Sequence, residues 1–496
     1  RSVTILDGQG QGTIQNDDVA LTPIHDIQGP GASSPIVGST VTTSGIVTGL
    51  RSNGFFIQTP DAEVDADPAT SEGILVFTSS APPAAAAVGN LVQVSATVAE
   101  FVPTQDPLQP PLTELISPTT VLLSAGNPLP AAVSLSASFP SPSGGHDQLE
   151  RLEGMRVNLA SFTVSAPTTG NVNEANATAT SNGVFQGVVT GNARAFREAG
   201  IQEPDPAPSG SIPPIPRFDS NPEVIRVDSD SLIGTIAINV RAGQIVTGLT
   251  GPLDYSSRRY TVLPEGSIAV SGNTDPTAVT APATGEVTIA SYNLQRFYDT
   301  TDDPVISDPV LTSVAYQRRL SKASAGIRQY LGTPDIVGVV EVEHLAALID
   351  LANQISTDAL AAGEPDPLYQ AYLVAGNDVG GIDVGFLVKS TPVAPGIARV
   401  SVNAVVQENA AALFSNPDAS NELLHDRPPL RLDAVINNGT GQSWPVTVIV
   451  NHLRSLNDIA GVATGSNGWA TTGERVRAKR LAQAVDIANL VQSRQS

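Results

Sequence analysis

Three side chains able to handle a phosphate and a metal stand where apolar, strand-like runs end: Asn293 after VTIASY, Glu341 inside DIVGVVEV and His452 after WPVTVIVN. An amide donates hydrogen bonds, a carboxylate is a hard ligand for magnesium or manganese, and an imidazole titrates near neutrality. Together these groups can bind a divalent metal and hydrogen-bond an anion whose oxygens carry charge. Arg427 offers a guanidinium against that charge, and Asp383 a second carboxylate beside the paired glycines 380 and 381. Each residue also has a plainer use. Asn293 can end a strand, Glu341 can be a solvated carboxylate, and a lone histidine is more often a satisfied core group.

These side chains need strands to carry them. Val287 and Ile289 alternate with Thr288 and Ala290, the period of a half-buried strand. Residues 313–331 place Tyr316, Leu320, Ala323, Ile327 and Leu331 at helical spacing, and Pro334 breaks the pattern. DIVGVVEV is a continuous apolar run of strand length. A second helix follows with Leu345, Leu348, Leu351 and Ile355 on one face, then the strand in GNDVGGIDVGFLVKS. In HDRPPLRLDAVI, Leu430, Leu432, Ala434 and Ile436 share one side, and Val446, Val448, Val450 and His452 share a face of the next strand. The last helix, 475–492, is expected to turn Leu481, Val485, Ala488 and Val491 inward.

In order, spacing and residue type, residues 286–496 resemble the endonuclease/exonuclease/phosphatase superfamily, the fold of deoxyribonuclease I-like nucleases. The resemblance implies an α+β four-layer sandwich in which Glu341 holds the metal, Asn293 lies at the metal and phosphate site, and His452 hydrogen-bonds the scissile phosphate. Asp383 falls near the site on the strand after the paired glycines, and Arg427 where relatives keep a phosphate-contacting guanidinium. Asn451 opens the Asn-His-Leu-Arg-Ser signature that Arg454 and Ser455 complete. Val340 stands where the family writes Gln before its Glu. The family's later Gly-Asp-x-Asn strand and Ser-Asp-His turn have no counterpart in the sequence. The resemblance therefore implies a C-terminally incomplete sandwich that is inactive as the chain stands. The expected cofactor is Mg2+ or Mn2+, with Ca2+ as a structural ion, and the expected substrate is DNA or RNA.

Composition constrains the partners. The 496 residues carry a net charge of −22, and residues 1–285 hold 11 basic against 26 acidic side chains. Such a surface repels a nucleic acid backbone at long range, so binding requires a metal or a local cluster of cations. Basic residues gather near Arg318 and Arg319 and from Arg475 to Arg480, either as that cluster or as solvated helix faces. There is no cysteine, which removes disulfides, thiolate zinc sites and a cysteine nucleophile. No apolar run is long enough to span a bilayer, and the chain is expected to be a monomer.

The N-terminal half reads as all-β. Residues 1–18 resemble the last hairpin of a Calx-beta repeat, with Asp17 and Asp18 either a remnant of a calcium end or an acidic linker. Short strands across 21–118 imply a small sandwich or barrel. They resemble the OB-fold modules that precede the catalytic domain in large secreted bacterial nucleases, from which an extracellular or cell-surface location follows. Phe55 and Phe56 are the module's adjacent aromatics, for the core or for stacking bases. Residues 120–272 form an accessory β-rich region and 273–285 a linker. Two rivals to the nuclease reading stand. One is a phosphomonoesterase or phospholipase of the same superfamily, and the other a non-catalytic adhesion or matrix-binding protein.

Overall fold

The computed structural model describes residues 20–104, 106–107, 109–193, 221–272, 277–283, 285–304, 306, 308–459 and 461–495. The hairpin read at 1–18 lies outside them. The chain forms two compact units. The first comprises 1–103, 108–169 and 181–274, and the second 275–496 together with 104–107 and 170–180.

In the first unit, five strands close into a barrel. They are Thr40–Arg51, Gly54–Gln58, Gly73–Phe77, Leu91–Phe101 and Leu112–Ser124, hydrogen-bonded in the order first, second, third, fifth, fourth. The third and fifth run parallel. The fifth pairs with the fourth as far as Leu91 and Ser124, so the barrel extends past the boundary drawn at 118–120. Phe55 and Phe56 are both fully buried, for different reasons. Successive strand residues face opposite ways. Phe55 enters the barrel core with Ile57, Val92 and Leu115, while Phe56 enters the core of a second, nine-stranded sheet with Leu149, Val157 and Phe185. Neither ring is free to stack on a base.

Backbone meets backbone where these two parts of the first unit join. A Cβ on Gly73 would lie 2.2 Å from the Gly154 carbonyl carbon, and Gly154 itself sits at φ +76°. Only glycine fits both positions. Around this contact the seam is acidic. The Thr113 N–H donates to Glu153 at 3.1 Å, Tyr260 donates to Glu150 at 2.6 Å, and Arg51 pairs with Asp254 at 3.1 Å. Burial pushes Glu114 and Glu150 up to about 7 and Glu153 well above the usual carboxylate range.

The second unit holds the elements read from 286 onward. Strands β1 (Ile289–Phe297), β2 (Ile336–Val342), β3 (Tyr369–Leu373) and β4 (Asp383–Lys389) form one sheet in the order β1, β2, β4, β3, with β1 and β2 parallel. Helices α1 (Ser313–Ala325) and α2 (Leu345–Ala361) cover one face, where Leu320, Ile327, Leu348, Leu351 and Ile355 meet Val337 and Val339. The alternate residues of β2 and β4, Ile336, Val340, Val384 and Phe386, pack against a second sheet. That sheet comprises β5 (Val400–Gln407), β6 (Leu430–Asn437) and β7 (Ser443–Val450) and supplies Leu430, Leu432, Ala434, Ile436 and Val450. β2 and β4 are apolar on both sides because both of their faces are covered.

The final helix, α3 (Thr472–Gln495), corrects the expected face. Leu481, Val485, Ala488 and Val491 are exposed, and Val476, Lys479, Gln483 and Leu490 are buried. Polar anchors set the rotation. Gln483 donates to the Leu424 carbonyl at 2.8 Å and accepts the Arg454 N–H at 3.0 Å, and Lys479 reaches Asp426 at 3.2 Å. Turning Gln483 outward would break both of its buried hydrogen bonds and leave the Leu424 carbonyl and the Arg454 N–H without these partners.

The acidic seam predicts how the first unit responds to pH. Its glutamates have raised values, so their contribution is complete below about pH 4.5 and is lost as pH rises through about 7. The urea midpoint of the first unit should fall between pH 5.5 and pH 8.5. A Glu114→Gln variant should flatten that fall, and a profile that rises across this range would contradict the assignment.

Candidate active site

β1 and β2 lie side by side, and both break their ladder where Asn293 and Glu341 occur. The pairing slips between Asn293 and Phe297 on β1 and between Val340 and Val342 on its neighbour. Gln295, Arg296 and Glu341 take φ of +55°, +54° and +64°, in the left-handed region that non-glycine residues avoid. Each such residue costs on the order of 1 kcal/mol, and the surroundings must impose it. Here hydrogen bonds do so. The Asn293 amide donates to Glu341 Oε1 at 2.9 Å, the Arg296 N–H donates to Glu341 Oε2 at 2.9 Å, and Asn293 Oδ1 accepts the Gln295 N–H at 2.7 Å.

His452 joins this group just past the end of β7. Its Nε2 lies 3.6 Å from Glu341 Oε1, and its Nδ1 is buried without a hydrogen-bond partner. Burial, then the nearby Arg427, hold the imidazole below its ordinary value, so it is neutral at pH 7. Arg427 itself pairs with Asp378 at 3.0 Å and donates to the His452 and Leu453 carbonyls at 3.4 and 3.3 Å. It clamps the backbone that carries the histidine. Asp383 forms a neighbouring arm: it accepts the Gly376 N–H at 2.9 Å, and burial pushes it up to about 6. Asn451 is not hydrogen-bonded to the Asn293, Glu341 and His452 group. Its amide lies 3.4 Å from the Ile449 carbonyl, and its Oδ1 is buried without a partner.

Beside Asn293 opens a cleft of about 420 Å3 lined by Val172, Glu174, Arg296, Arg318, Arg319 and Lys322. Arg319 donates to the Gln295 and Arg296 carbonyls, which places its charge on the strained turn. Arg296 is held by Glu174 at 2.6 Å. Arg318 and Lys322 are exposed. Sequence reasoning located the basic helix but missed Gln295, Arg296, Asp378 and Glu174. Asp378 lies within the quoted GNDVGG, whereas Glu174 carries no local signal.

Residues 112–275 match a family model described as a domain of unknown function, DUF8508. No curated protein matches the chain.

The raised Asp383 predicts a pH-dependent cost. Its contribution is complete below the ordinary carboxylate range and is lost as pH rises through about 6. Asp383→Asn keeps an acceptor for the Gly376 N–H and should gain about 2–3 kcal/mol on the wild type between pH 4 and pH 8. Denaturant midpoints of the two proteins across that range measure the difference, and parallel curves would refute it.

Proposed function

We propose that the second unit is a metal-assisted phosphodiesterase of the endonuclease/exonuclease/phosphatase type, acting on nucleic acid. One observation carries the reading: Asn293, Glu341 and His452, far apart in the chain, meet where the β1–β2 ladder breaks, with Glu341 and the adjoining residues 295–296 forced into rare backbone conformations. Strain that hydrogen bonding maintains is more often kept for a site than for stability. The helix layer, the central sheet and the second sheet behind it agree with three layers of the family's four-layer sandwich. The barrel's strand order and single parallel pair agree with an OB-fold. With both phenylalanines buried, the barrel acts as a spacer. An extracellular location rests on the resemblance alone.

The Glu341 carboxylate suits a divalent ion. Each oxygen accepts one hydrogen bond and keeps a further lone pair, and the side chain is 18% exposed. Mg2+ or Mn2+, when bound, supplies Lewis-acid polarisation of a phosphoryl oxygen. Asn293 holds the carboxylate in one orientation. The neutral His452 can donate a hydrogen bond to a phosphate oxygen, and Arg427 fixes its position. Arg296, Arg318, Arg319 and Lys322 give the cleft the local positive charge that the rest of this acidic chain withholds. The described residues also include no helix long and apolar enough to cross a membrane.

The family's Gly-Asp-x-Asn and Ser-Asp-His motifs have no counterpart here, so the test reads binding before turnover. Mn2+ titration by calorimetry should show a site that Glu341→Gln weakens at least about tenfold. Anisotropy with a labelled oligonucleotide in Mn2+ should show affinity that falls when Arg318 and Lys322 are both changed to Glu, with a shallower salt dependence. Equal Mn2+ affinity in the wild type and Glu341→Gln would end the proposal. Failure to bind DNA or RNA, with metal-dependent binding of lipid or sugar phosphates, would favour the phosphomonoesterase or phospholipase reading.

A further inference from the structure

Two residues beyond Glu341, β2 is followed by Glu343, whose side chain is 1% exposed. Its Oε2 accepts the Asp299 N–H at 2.7 Å, but its Oε1 is buried and has no hydrogen-bond partner. Asp308 lies within hydrogen-bonding reach of the Glu343 carboxyl. Its own Oδ1 is likewise buried without a partner, and its Oδ2 is 3.5 Å from the Asp303 N–H. Asp299 adds a third carboxylate: ligand atoms of Asp299, Glu343 and His344 fall within 4.8 Å of one another. Two orphaned oxygens from different acids, closed off from water beside a third acid, are unstable as bare charges.

His344 refines the donor set. Its Nδ1 accepts the Ala347 N–H at 3.1 Å, where it caps α2, so the ring proton of the neutral imidazole sits on Nε2. Nε2 lies 3.4 Å from Asp299 Oδ2, facing it as a donor and not as a ligand. What remains is a set of carboxylate oxygens with no nitrogen or sulfur. That chemistry selects a hard cation, and acids contributed from separate points of the chain suit the flexible coordination of calcium better than the strict octahedron of magnesium.

We propose that Asp299, Asp308 and Glu343 form a calcium-class divalent cation site, separate from Glu341, that ties Asp299 and Asp308 to the end of β2. Tyr298, next to Asp299 in the chain, packs with Leu311 and Ile382, so the ion adds a polar tie to an apolar one. The site is independent of the nuclease reading: Glu341 supplies none of its ligands.

Calcium calorimetry on the full chain tests it. One site per chain is expected, absent in both Glu343→Gln and Asp308→Asn and retained in Glu341→Gln. Calcium should also slow amide exchange across 299–311 in the wild type and in Glu341→Gln. Circular dichroism confirms that each variant is folded, and Asp308→Asn, at the less buried position, guards against a Glu343→Gln that fails to fold. Unchanged stoichiometry in both variants, or no binding up to about 10 mM calcium, would overturn the site. So would a Glu343→Gln protein that melts higher than the wild type whether or not calcium is present, because the two acids then share a proton.

Discussion

The second unit depends on what happens at one carboxylate. Glu341 receives an amide hydrogen bond from Asn293 and a backbone N–H from Arg296 further along the same strand, and so locks two parallel strands together at the point where both leave regular geometry. Those bonds hold Arg296 and Glu341 in the left-handed region, and Arg319 and Glu174 support the same segment. The apolar packing beneath is ordinary. Valines and isoleucines alternate between a helix layer and a second sheet, and this double coverage is rigid enough to bear the strain above it.

Charge follows the same division of labour. The chain is strongly acidic, yet Arg296, Arg318, Arg319 and Lys322 gather along one cleft beside Asn293. Arg427 and Arg399 are used differently. The first holds the histidine-bearing turn against Asp378, and the second binds Asp335 at the base of β2 at 2.7 Å. Their guanidiniums act as braces, with the planar fork meeting carboxylate and carbonyl oxygens together.

Much of this was legible in the sequence, because burial on two faces writes itself as an apolar run and burial on one face as alternation. DIVGVVEV, HDRPPLRLDAVI and WPVTVIVNHLRS therefore gave their strands and the residues beyond them. The bulges did not show, since no local pattern marks Gln295 or Glu341 as left-handed. Periodicity misled on α3, where Gln483 and Lys479 occupy the covered side and Leu481 the open one. The sequence pointed to a core role for Phe55 or Phe56, and both are buried, but it did not reveal that a second sheet covers Phe56. That coverage comes from residues about a hundred positions away, and strand alternation alone leaves an outward aromatic free. The grouping of Asp299, Asp308 and Glu343 is similarly a product of tertiary approach.

The touching backbones at Gly73 and Gly154 bear on how this protein can be dissected. The barrel and the nine-stranded sheet look like separable modules in linear order, but they share one interior wall, with Phe56 and Leu75 of the barrel filling the neighbouring core. Cutting the gene between them would leave each piece with a raw, greasy flank. Fragments made there should precipitate, so the smallest piece fit for biochemistry keeps both parts of the first unit in one polypeptide.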